Sequence, residues 1–143
     1  NMSQLRILRL SKADREDIKF INSLTDLEQI GLFDSRIDSL YELSGLKHLE
    51  SLDLSNAKGV SSLDGIDGFS GVNYFSIAYT NVSDISRLKE MPSLSAADLR
   101  GIPAKDLTPL AECRRLTMIY VSPDMEPLVL KAGLEDVDVL VFD

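Results

Sequence analysis

The chain has 143 residues, a net charge of −8 and a pI near 4.6. Nucleic acid and anionic membrane surfaces are bound through clusters of Lys and Arg, so neither is an expected partner. One cysteine, Cys113, allows no intrachain disulfide and no zinc cage, and no apolar run approaches the ~18 residues of a membrane span.

The length is that of one domain, taken as residues 1–143. With aromatic residues at 6% and no Trp, its core must be aliphatic. Along the chain, Leu5, Leu8 and Leu10 open an L-x-x-L-x-L pattern, followed by Ile18, Ile21 and Leu24 at steps of three. The highly charged stretch "KADREDIK" (12–19) suits a helix with a polar convex side. The pattern returns as Leu27/Ile30/Leu32, Leu49/Leu52/Leu54, Val72/Phe75/Ile77, Leu94/Ala97/Leu99 and Leu116/Ile119/Val121. The units are 22 residues apart, except for 23 between Leu49 and Val72, where the turn "NAKGV" (56–60) holds Gly59. Each pattern predicts a short strand with alternating faces. The second halves step by three: Ile37, Leu40, Leu43, Leu46; then Val82, Ile85, Leu88, Met91; then Leu107, Leu110, Cys113. That period suits 3₁₀-like return segments better than a long α-helix.

After the sixth unit, residues 123–143 read as a terminal cap. "DMEPLVLKAG" (124–133) predicts a short helix with Asp124 as N-cap, Pro127 in the first turn and Gly133 closing it. "VDVLVF" (137–142) predicts a last strand. No cap precedes Leu5, so the first strand should present an unpaired edge to be covered by a partner, a second copy or a removed segment.

These six units resemble the leucine-rich repeat family. "TNVSDISRL" (80–88) is similar to the short 22-residue bacterial class, internalin-like and phosphatase-regulator-like. The resemblance implies an α/β solenoid: a curved parallel sheet on the concave side, 3₁₀ or short helical segments on the convex side, six repeats and a C-terminal helix–strand cap. It also implies an asparagine in each turn that bonds the backbone between repeats. That position here holds Ala13, Ser35, Ala57, Thr80, Ile102 and Asp124. Hydroxyls can serve local backbone groups, so Ser35 and Thr80 are expected to substitute. The others predict an irregular convex edge and modest stability.

In such strands the third, fifth and seventh positions point out of the concave face. Most are small. Phe33, Tyr74, Met118 and Tyr120 are not, and Tyr79 lies on the rim. Aromatic residues and Met are enriched at interfaces, and exposed apolar area is unusual unless used. Tyr74 and Tyr120 lie two strands apart, about 10 Å, a span suited to a peptide or loop. The charged residues of the face are Arg9, Asp53, Asp98 and Arg100; Asp98 and Arg100 read as a surface pair worth little. The expected binding set is Phe33, Tyr74, Tyr79, Met118, Tyr120, Asp53, Asp98 and Arg100.

Nothing points to catalysis, a metal or a cofactor. His48, the only histidine, reads as solvated, and Cys113 fills a core slot taken by Leu43 and Met91 elsewhere. Asp64 and Asp67 lack the spacing of a calcium loop. "NVS" (81–83) is a formal glycosylation sequon that matters only in a eukaryotic secreted protein.

The expected function is a non-enzymatic module binding an unknown protein or peptide on the concave face. The rival readings are an internalin-like surface adhesion module and the recognition part of a larger enzyme. Met2 behind a lone Asn1 reads as an initiator, which predicts a cytoplasmic protein; a trimmed sequence would leave a secreted or surface location open.

Overall fold

The structure, a computed structural model, describes residues 2–143. Seven strands form one parallel sheet in chain order: β1 (Ile7–Ser11), β2 (Gln29–Phe33), β3 (Ser51–Asp53), β4 (Tyr74–Ser76), β5 (Ala96–Asp98), β6 (Met118–Val121) and β7 (Asp138–Val141). The register carries the repeat: Ile7 pairs with Gln29, Gln29 with Ser51, Ser51 with Tyr74, Tyr74 with Ala96, and Ala96 with Met118. The strands follow from alternation. The fourth and sixth positions of each pattern point into the core, and from β2 to β6 all ten are 2% exposed or less. Burying one such side chain contributes about 1.5–3 kcal/mol.

The return segments are 3₁₀ turns, as the period of three predicts: Leu40–Leu43, Ile66–Gly68, Ser86–Glu90 and Thr108–Glu112. Their buried residues (Leu40, Leu43, Ile66, Leu88, Leu110) fall at that period and face the sheet. Short polar side chains start several of them. Ser39 and Glu42 form a reciprocal capping box, while Asp84 and Asp106 accept the amides of Ser86 and Thr108. The first unit instead makes an α-helix, α1 (Arg15–Ile21), begun by a capping box between Asp14 and Asp17. The extra residue does fall between β3 and β4. Gly59 is required there for close approach, because a Cβ would lie 2.1 Å from Asp38 Oδ1 and 2.9 Å from the Ile37 carbonyl oxygen.

The turns hold without the asparagine ladder, and in a way the sequence reading did not foresee. The residue before each ladder position takes a left-handed conformation: Lys12, Asp34, Asn56, Tyr79 and Gly101. The amides of Lys12, Asp34, Asn56 and Tyr79 donate to the carbonyls of Phe33, Ser55, Ala78 and Arg100 in the following repeat, and Gly101 N donates to Ser122 Oγ. Asn56 is therefore not a misplaced ladder residue. It sits where Asn tolerates positive φ better than most residues. Ser35 does substitute, accepting from Ala13 N and donating to the Phe33 carbonyl, and Thr80 donates to the Ile77 carbonyl. The Ala57 and Ile102 amides close i to i−3 bonds onto Leu54 and Leu99.

At the C-terminus the cap forms, with one correction. Asp124 neither caps the helix nor occupies a turn ladder. Pro123–Met125 first makes a 3₁₀ turn, so α2 (Glu126–Ala132) begins later, at Met125, without a side-chain cap. Pro127 lies in the first turn, and Gly133 ends the helix at φ +62°. β7 pairs with β6 as expected. At the other end, Leu5 and Leu8 are only half-buried, and Leu10, Ile7, Met2 and Phe20 are exposed. Among the described residues β1 has no strand on its outer edge.

Candidate functional site

Outward side chains of the seven strands form the concave face in three rows. The expected binding residues all lie on it, but they divide into three groups.

The first surrounds a hollow of about 580 Å³ lined by Arg9, Gln29, Gly31, Phe33, Ser51, Asp53 and Tyr74. Its floor is Gly31. A Cβ there would sit 3.0 Å from Cε2 and Cζ of Phe33 and 3.4 Å from Cγ of Arg9, so glycine lets the Phe33 ring and the Arg9 stem lean over the backbone. In register Gly31 lies between Arg9 and Asp53. Asp53 Oδ1 accepts from Ser55 N at 2.9 Å and Ser55 Oγ at 2.5 Å, and Ser55 Oγ meets Ser76 Oγ at 2.9 Å. The Tyr74 hydroxyl is pushed up to about 12, first by burial and then by the charges of Asp53 and Asp98.

The second group is Tyr79, Asp98 and Arg100. The carboxylate of Asp98 is 4% exposed and grips Arg100 in a fork, with Nε to Oδ1 at 2.9 Å and Nη2 to Oδ2 at 2.7 Å. The guanidinium lies 5.9 Å from the centre of the Tyr79 ring. The expectation of a weak surface pair is thus corrected: Asp98 is buried and positions Arg100, and only Arg100 and Tyr79 are left for a partner to touch. The burial of Asp98 makes the difference, because a bidentate pair shielded from water keeps more of its attraction. The bond to Asp98 raises the Arg100 pKa further.

The third group is Met118 and Tyr120, both half-buried. Tyr120 stacks on Phe142, with ring centres 6.1 Å apart and planes at 27°. Phe142, 48% exposed, was missed as a site residue, as was half-buried Leu140. The signal lay in "VDVLVF": Val139 and Val141 align with the core positions Ile119 and Val121, so Leu140 and Phe142 face outward.

His48 is exposed, and Cys113 is buried, its thiol pushed up to about 11 mainly by burial. Among the described residues no group of three or more His, Cys, Asp or Glu is placed to hold a metal, and no helix is long and apolar enough to cross a membrane.

No family model matches the chain. Curated relatives do. Human leucine-rich repeat-containing protein 56 is 35% identical over 106 residues, covering 71% of this chain and 19% of the relative. The rat protein of the same name is 30% identical over 140 residues, 89% and 25% respectively. Tsukushi from chicken is 35% identical over 95 residues, 64% and 26%. The chain thus spans about a fifth to a quarter of the length of these relatives. Among solved structures, an internalin of Listeria monocytogenes superimposes with a TM-score of 0.74 at 24% identity, over all of this chain and 44% of that one. A leucine-rich repeat protein of Leptospira interrogans gives 0.62 at 16% identity, over 97% and 44%. Such identities speak for the fold alone. The repeat in the sequence, the parallel sheet it builds and the relatives it matches agree: the chain is a leucine-rich repeat protein.

Proposed function

We propose that this chain is a non-catalytic interaction module that binds a protein or peptide across its concave face. The observation that carries this reading is the face itself. Phe33, Tyr74, Tyr79, Met118, Tyr120 and Phe142 are half-buried or exposed on one continuous sheet, beside a hollow large enough for a side chain. Half-buried rings with a polar surround are the usual anchors of protein interfaces. The net charge of −8 weighs against nucleic acid and anionic membranes as partners. The 22-residue repeat length supports a bacterial source, and a lone buried thiol fits a reducing, cytoplasmic compartment. A surface adhesion module and the recognition part of a larger enzyme are the rival readings.

The test is affinity capture from source lysate with quantitative mass spectrometry, using wild type beside a folded Phe33→Ser/Tyr74→Ser/Tyr120→Ser variant. Loss of a specific protein with the variant is expected; equal recovery with both baits would send the site elsewhere.

A second reading is self-association at the open edge of β1. Ile7, Leu10 and Phe20 are exposed at that end, and Leu130, Val141 and Phe142 at the other. Residues 1–25 carry five Lys/Arg against three Asp/Glu, whereas 124–143 carry one against six. Opposite charge, and two sheet edges unpaired among the described residues, suit head-to-tail stacking of copies. Sedimentation velocity at about 100 μM should then show growth with concentration that salt weakens; a constant monomer contradicts it.

A further inference from the structure

The polar groups of the concave face are spent unequally. Toward the C-terminus they satisfy one another, as Asp98 with Arg100. Around the hollow over Gly31 only Asp53 is so engaged, accepting from Ser55. The side chains of Arg9, Gln29 and Ser51 have no hydrogen-bond or ion-pair partner among the described residues. All three carry donors, one of them a guanidinium, and all line one hollow. Phe33 and Tyr74 supply its apolar sides.

We propose that this hollow is a carboxylate pocket, in which Arg9, Gln29 and Ser51 receive an acidic side chain of the bound segment while Phe33 and Tyr74 pack its hydrocarbon stem. The inference rests on the reading of the concave face as the binding face, and names the chemistry of its partner there. A guanidinium fork matches a carboxylate in plane and spacing, and amide and hydroxyl donors complete the ring. Asp53, on the opposite wall, lies two strands from Arg9, about 10 Å at the backbone. One of its oxygens already accepts two bonds from Ser55. Arg9 is thus the one cation lining the hollow, and a bound carboxylate meets it on the side away from the charge of Asp53.

The probes are three capped tripeptides, Ac-Ala-Glu-Ala-NH₂ and its Gln and Lys counterparts, titrated into ¹⁵N-labelled protein. The Glu peptide should shift the amides of Gly31, Phe33 and Ser51 with a dissociation constant of roughly millimolar order, at least about fivefold tighter than the other two. Arg9 is exposed and unpaired, so Arg9→Gln should fold normally and abolish that preference. A Lys peptide that binds as well as the Glu peptide would overturn the proposal, as would silence of these amides to about 20 mM or a Glu preference that survives in Arg9→Gln. Those results leave capture of a protein on the concave aromatics standing, whereas equal capture by the triple-serine bait leaves the tripeptide result untouched. The two readings therefore fail separately.

Discussion

The two halves of the array are built from one repeat and are finished differently. From β4 to β7 the concave side chains close on one another: a buried carboxylate holds Arg100, Arg100 lies by Tyr79, and Tyr120 stacks on Phe142. From β1 to β3 the same positions leave a glycine floor, three unspent donors and core leucines that reach solvent at β1. A repeat fixes where a side chain points. Its neighbours one repeat away decide whether it is free. Stability gathers where they complete each other, and binding capacity where they do not.

The largest expected effect compares equivalent core positions. Leu52 is fully buried in β3, whereas Leu8, its counterpart in β1, is half-buried. Leu52→Ala should cost about 3–5 kcal/mol and Leu8→Ala about 1 kcal/mol in urea unfolding. Equal costs would mean the first repeat is covered in solution and would erase the contrast.

A smaller effect compares the polar groups. Asp98→Ala leaves Arg100 half-buried without its partner and should cost about 1–3 kcal/mol. Gln29→Ala and Ser51→Ala, which break no bond, should each stay within about 0.5 kcal/mol. A large loss at Gln29 or Ser51 would show that the hollow is structural.

The smallest effects are in pH. Tyr74 should ionise late, at about 12, because of burial and the charges of Asp53 and Asp98. Its contribution is present below its ordinary value of about 10 and is lost as the pH rises from there through about 12. Spectroscopic titration should lose this late step in Tyr74→Phe, and in Asp53→Asn it should come earlier. At the acid end, Asp14, Asp84 and Asp106 have lowered values, chiefly from hydrogen bonds to Asp17, Ser86 and Thr108. Their contribution is present above the ordinary 3.8 and fades as the pH falls below it through their folded values. Replacing all three by Asn should flatten the stability curve in that window.

Much of this was legible in the sequence. The period of 22 located six of the seven strands, the period of three located the 3₁₀ segments, and "VDVLVF" marked the seventh strand, because side-chain alternation and burial are local consequences of spacing. Asp98 shows where legibility stops. Its position declared it outward, but it is buried and gripped by Arg100, and no local pattern encodes that burial. The left-handed row was hidden for a different reason: Lys12, Asp34, Asn56 and Tyr79 share a backbone conformation and no side-chain type. Asp124 looked like a helix cap because a 3₁₀ turn and an α-helix begin alike in sequence. The hollow became visible only when Gly31, seemingly one more small residue, proved to be its floor.

The most direct test of the account is a capture experiment that separates the halves. Folded Phe33→Ser/Tyr74→Ser and Tyr120→Ser/Phe142→Ser variants would be compared with wild type and with a convex-side control such as Tyr41→Ser. The account predicts that the partner is lost with the Phe33/Tyr74 variant, weakened with the Tyr120/Phe142 variant and kept with the control. Retention by both concave variants, or loss with Tyr41→Ser, would contradict it.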